Sequence, residues 1–139
     1  LEDIDYINTH GTGTRINDSI EIAIYKDFFK EYAKNILVNS TKSILGHSLG
    51  AAGAIETAVT AMSIREGKVH PTRNLENLDP ECSGMRYVTK TLETDIKIAV
   101  KSSFAFGGHN AVLLMEKYIE EVKNARSLTE ASALVECLY

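Results

Sequence analysis

The chemistry this chain could carry is concentrated first at residues 46–53, Gly-His-Ser-Leu-Gly-Ala-Ala-Gly. Gly46 to Gly50 fit G-x-S-x-G, the turn on which α/β-hydrolases present a nucleophilic serine between a strand and a helix. A strand-like run at 36–40 precedes it and a helix-like run follows, so Ser48 is one candidate nucleophile. Such a triad takes its acid and then its histidine from later in the chain, and Asp79 or Asp95 with His109 keep that order. His-Gly-Thr-Gly at 10–13 would then stand as the oxyanion loop. Against this, polar residues 39–43 break the strand before the elbow. The chain is also too short to supply the later parallel strands that carry the acid and the base.

Glu56 is the second centre, and the serine reading leaves it without a role. It is the only charge between Leu49 and Ile64. A carboxylate inside an apolar helix is strongly destabilising unless a cation or strong donor meets it. Lys42, from the preceding segment, is the candidate partner. The pair reads either as a structural ion pair or as a charge network beneath an active site. His10 and His47 both fall where a strand-like run gives way to a loop or helix, a favoured place for catalytic groups. Each alone reads as readily as structural, and His47 could cap the helix that follows. His70 lies in a polar linker and His109 in a Gly-rich turn. The four histidines include no H-x-x-x-H spacing, and Cys82 and Cys137 form neither metal spacing nor a disulfide framework, so no metal is expected. The phosphate-loop pattern and G-x-G-x-x-G are both absent, and no bound cofactor is implied.

The elements that must position these groups read as an α/β chain. Residues 4–9 form a strand-like run. Asp18 with Glu21 three positions on reads as a capping pair. Ile20, Ile24, Phe28 and Tyr32 then mark an amphipathic helix over 19–33. A second strand covers 36–40, and 49–64, apolar on every face, reads as a buried helix. A polar connection at 70–81 holds both prolines, 85–89 is a short strand, and 96–104 with 111–117 form a hairpin turning on Gly107-Gly108. The order β-α-β-α-β-β-β predicts a layered α/β domain with one buried helix over residues 1–118, followed by a peripheral, weakly helical tail at 119–139. At 139 residues there is chain for one core. A net charge of −4 argues against nucleic acid or an anionic membrane as partner. No apolar run is long enough to span a membrane, and no signal peptide opens the chain, which favours the cytoplasm. The first strand-like run begins within three residues of Leu1, the pattern expected of a piece of something longer.

Four segments in order, HGTGTRINDSIE, STKSILGHSLGAAGAIE, NLENLDPEC and SSFAFGGHN, closely resemble the C-terminal half of the β-ketoacyl-[acyl-carrier-protein] synthases. These are the condensing enzymes of fatty acid and polyketide synthesis, and the resemblance runs from about residue 3 to 118. It implies half of a thiolase-like fold. It makes His10 and His47 the two histidines that donate to the thioester carbonyl of the malonyl extender, stabilising the enolate formed as carbon dioxide leaves. Lys42 matches the family's active-site lysine and Glu56 its buried glutamate. Thr12 and Thr14 match threonines lining the phosphopantetheine arm. Phe106 matches the gating aromatic, with Gly107 beside it, and its backbone N–H shares the oxyanion hole. Asp18 and Glu21 match acidic positions below the first histidine, for which capping explains as much as function. The closest pattern is the elongating synthase of type II fatty acid synthesis, although HGTGT leans toward polyketide synthases.

The resemblance further implies decarboxylative Claisen condensation, with an acyl carrier protein delivering phosphopantetheine and a homodimer when complete. Two substitutions depart from the pattern. Ala105 stands where the family has glycine, which would strain a positive φ, and Ser102 replaces an asparagine. The family's nucleophilic cysteine lies upstream, in the N-terminal half, and neither Cys82 nor Cys137 occupies its position. This chain alone is therefore expected to be inactive. A non-catalytic partner of the chain-length-factor kind is the alternative, but such a partner would be expected to lose the histidines.

Overall fold

Tyr6, Ile7 and Asn8 are fully enclosed, and strand alternation decides which helix each side chain meets. The computed structural model describes residues 1–119. Its elements are β1 (Tyr6–Asn8), α1 (Arg15–Phe29), β2 (Leu37–Asn39), α2 (Lys42–Leu45) and α3 (Ala52–Glu66). They are followed by β3 (Lys68–Val69), β4 (Arg86–Tyr87), β5 (Leu92–Glu93), β6 (Ile98–Ala105) and β7 (His109–Glu116). Five strands form one sheet in the order β4-β2-β1-β6-β7. The pairs β1–β2, β1–β6 and β2–β4 are parallel, and β6–β7 is an antiparallel hairpin. Two-residue strands β3 and β5 pair separately, an addition to the expected order.

Helices cover the two faces of the sheet, as parallel strands require. Ile7, Val38 and Val100 pack with Ile22, Tyr25 and Phe29 of α1. Tyr6, Leu37 and Ala99 point the other way and pack with Ile64 of α3 and with Val69, Val88 and Ile96. On this α3 side the next residues along the strands are polar: Asn8 pairs in register with Asn39 on one flank and Lys101 on the other. The apolar half of that face holds the sheet together. The polar half, at the carboxyl ends of the parallel strands, is where a site forms.

Three sequence expectations are corrected by the packing. Ile20, Ile24 and Phe28 do not face the core: all three are more than half exposed, while α1 buries Glu21, Ile22, Tyr25 and Phe29. Both stripes have helical spacing, and the hydrogen bonds of Glu21 to the His10 loop favour the second. The helix also starts earlier than expected, at Arg15 after Thr14, so Asp18 is inside its first turn and no Asp18–Glu21 capping box forms. α3 is enclosed on one face, through Ala52, Glu56, Thr60, Ser63 and Ile64. Ile55 and Met62, on its other side, are exposed among the described residues. The tail at 120–139 lies outside the described residues, as does Cys137.

Candidate active site

The site is assembled where β1, β2 and β6 end and α2 and α3 begin. Gly11, just past β1, has φ +43 and passes so close to Ser40 that an added Cβ would stand 2.6 Å from the Ser40 Cβ. Only glycine fits that approach. Glu21, reaching up from α1, accepts from the backbone N–H groups of His10 at 2.8 Å and Gly11 at 2.9 Å. The same carboxylate accepts from Tyr25 Oη at 2.7 Å and Ser102 Oγ at 3.0 Å. One buried acid thus ties the His10 loop to α1 and β6.

Lys42 Nζ carries three hydrogens and has three acceptors. It lies 2.6 Å from Glu56 Oε1, 2.6 Å from the His10 carbonyl and 3.3 Å from His10 Nδ1. An ammonium can only donate, so His10 Nδ1 accepts and the neutral ring carries its proton on Nε2. His47 reaches the same tautomer by another route, because its Nδ1 accepts from the Leu49 backbone N–H at 3.0 Å. The two rings stand edge to face with centroids 5.6 Å apart. Each therefore presents an Nε2–H donor from a neighbouring position. Burial, and then the Lys42 charge, hold the His10 pKa below the ordinary histidine range.

Glu56 has a second partner that the sequence reading passed over. Lys101, 1% exposed on β6, places Nζ 2.8 Å from Glu56 Oε2. The sequence signal was partial: alternation along the strand sets Lys101 on the face opposite Val100, but its burial comes from β6 lying between β1 and β7. Of the two readings open for Glu21, capping fails, since its backbone partners lie ten and eleven residues upstream.

The remaining candidates are less enclosed. Thr12 is half-buried and Thr14 exposed, with hydroxyls 2.8 Å apart. Both line a cavity of about 430 Å³ between the 11–15 loop and the 72–82 connection, which neither histidine lines. Phe106 is 96% exposed at the tip of the β6–β7 hairpin, and Gly107 beside it turns the chain with φ +81. Ala105 has φ −135, extended backbone that carries no strain. Ser102 is used as a hydroxyl, bonded to Glu21 and to Tyr25. His109 opens β7 instead of lying in the turn, paired with Ala105.

Ser48 does not form a triad. Its backbone is unstrained at φ −83, and α2 stands between β2 and the turn where an elbow needs a strand. Among the described residues its hydroxyl meets no histidine, while His47 beside it is committed to Leu49 and faces His10.

Residues 1–76 match the family described as Beta-ketoacyl synthase, C-terminal domain. The chain belongs to the β-ketoacyl synthases. It is 48% identical over 118 residues to a 3-oxoacyl-[acyl-carrier-protein] synthase 2 of Synechocystis, covering 84% of this chain and 28% of that relative. A Staphylococcus aureus protein of the same name is 44% identical over 117 residues, with the same coverage. Among solved structures, the ishigamide ketosynthase/chain length factor superposes with a TM-score of 0.79 at 38% identity, over 84% of this chain and 28% of that one. A type II PKS acyl-carrier protein in complex with its ketosynthase bound to the hexaketide gives 0.76 at 37% identity, again over 84% and 28%. The ketosynthase fold is thus shown as thiolase-like α/β, and the chain spans just over a quarter of the length of these relatives.

Proposed function

We propose that this chain is the C-terminal part of a ketosynthase that condenses an acyl thioester with malonyl-acyl carrier protein. The observation that carries the reading is the pair of neighbouring Nε2–H donors on His10 and His47, each fixed from behind at Nδ1. Loss of carbon dioxide from a malonyl thioester pushes an electron pair onto the thioester oxygen, and two donors aimed at that oxygen stabilise the enolate. The enolate carbon then attacks the acyl carbonyl. A carbon–carbon bond forms, the acyl carbon–sulfur bond breaks, and a cysteine thiolate leaves.

That cysteine comes from polypeptide outside the described residues. Cys82 is packed in the core beneath α1, and burial followed by the Asp79 charge pushes its thiol up, away from the thiolate form. Just over a quarter of a relative's length and an outward apolar side on α3 both support further chain packing here. On this reading Thr12 and Thr14, beside the His10 loop, flank an incoming phosphopantetheine arm, and Phe106 and Gly107 at the hairpin tip act as a gate and a backbone donor for the acyl oxyanion. Their proximity to the loop and the tip supports these roles. Lys42 and Glu56 act behind His10. Family membership is the ground for expecting a cytoplasmic homodimer.

Decarboxylation of a malonyl thioester by the complete protein tests the reading. Replacing His47 with Gln is expected to lower the rate by about 10²–10³, and Ser48→Ala is expected to leave most of it. The opposite pattern overturns the assignment and restores the serine.

A further inference from the structure

Two buried ammonium groups share one carboxylate, and only one of them touches a histidine. Lys42 spends its donors on Glu56 Oε1, the His10 carbonyl and His10 Nδ1. Glu56 Oε2 and Asn8 Oδ1 are left buried without hydrogen bonds. Lys101 stands in register beside Asn8 on the same face of the sheet, with its Nζ in ionic contact with Glu56 Oε2 and donating to the Ser102 carbonyl. Lys42 and Glu56 alone would balance, but Glu21 adds a second buried carboxylate beside His10. Lys101 supplies the second buried cation, so the cluster around His10 holds two carboxylates and two ammonium groups.

We propose that Lys101 is a positioning residue for the histidine pair: the positive charge it sets against the two carboxylates keeps His10 neutral, with Nε2–H as the donor and Nδ1 left to accept from Lys42. This deepens the ketosynthase reading and rests on it for its catalytic meaning. The charged groups around His10 are Lys42 on α2, which meets its ring, Glu21 on α1, which accepts its backbone N–H, and Glu56 on α3 with Lys101 on β6, which lie behind Lys42. His47 on the intervening loop faces the ring. Two of the charged groups are acids that favour imidazolium, and two are lysines that oppose it. An imidazolium at His10 would turn Nδ1 into a donor facing the Lys42 ammonium, and the contact that fixes the ring would be lost. Removing Lys101 leaves two acids against one lysine, and the ring takes up a proton at higher pH.

The test is a ¹⁵N ring-shift titration of His10 in the complete protein, assigned by its loss in His10→Gln. Lys101→Met is expected to raise the His10 midpoint by about half a pH unit or more, while Lys101→Arg keeps it near the parent value. The acid limb of malonyl-thioester decarboxylation moves up with it. Lys101→Gln, which retains donors for Glu56 and Ser102, must show the same upward shift and serves if the Met variant does not fold. An unshifted midpoint in either folded neutral variant overturns the proposal. Failure of both neutral variants to fold also overturns it, since Lys101 would then be structural. The titration needs no turnover, so it separates this proposal from the ketosynthase reading: a shifted midpoint without decarboxylation leaves Lys101's effect standing and removes the enzyme.

Discussion

At the scale of single residues, the site depends on a few buried charges that meet one another directly. Glu56 is the point at which removal is most damaging, because it faces two ammonium groups in the interior. Glu56→Gln leaves both without a counter-charge, and a drop of about 3–5 kcal/mol in unfolding free energy by urea titration is expected. Burial already pulls the Lys101 ammonium down toward its neutral form, so the variant is expected to recover stability as pH rises. The pH dependence of the parent runs in the same direction for a different reason. His10 titrates below its unfolded value, near ~6.5. Its contribution to stability is present above that pH and lost as the pH falls through the folded value. Urea midpoints followed from pH 7 downward should decline more steeply for the parent than for His10→Gln, and parallel curves would contradict this. Much of the site was legible in residue types. Lys42 and Glu56 are paired because an apolar helix makes a lone carboxylate untenable, a deduction available from sequence. The roles of Glu21 and Lys101 were not legible, because each depends on which strand lies beside which. Glu21 meets Ser102 across 81 positions, a pairing no local pattern encodes.

At the scale of elements, α1 shows how a correct helix can be read with the wrong face inward. Ile16, Ile20, Ile24 and Phe28 recur every four residues, yet all are exposed, while Ile22, Tyr25 and Phe29 fill the core. Two apolar stripes on one helix give periodicity no basis for choosing between them. The choice is made by Glu21, whose contacts with His10, Gly11 and Ser102 orient the helix under the His10 loop. Replacing Ile20 and Ile24 together with Ser is therefore expected to leave the unfolding free energy within about 1 kcal/mol of the parent and to improve solubility. A large loss measured by thermal unfolding would show that this face is covered in the protein. The strands were easier to read: each strand of the main sheet overlaps a run read from the sequence, and the hairpin follows from its glycines.

At the scale of the whole molecule, the described residues form a sheet covered by α1 on one face and by only one side of α3 on the other. Leu49, Ile55, Met62 and Leu114 remain open among them. Apolar surface of that kind marks a face that another part of a protein covers. Residues 1–139 produced alone are expected to self-associate with rising concentration, seen by light scattering, and to bind the dye ANS. A monodisperse, dye-free monomer would contradict this.

The strand order has a kinetic consequence. β1 is the first strand, and its partner β6 is almost the last, with Asp5 joined to Lys97 across 92 positions. Lys101 reaches Glu56 only when β6 docks beside β1. Contacts of such long sequence separation slow the folding of the chain that contains them. The Lys42 contacts to His10 and Glu56 span 32 and 14 positions, whereas Lys101 comes from the far end of the described sheet. Completing the charge cluster thus carries a larger loop-closure cost than forming its first pair.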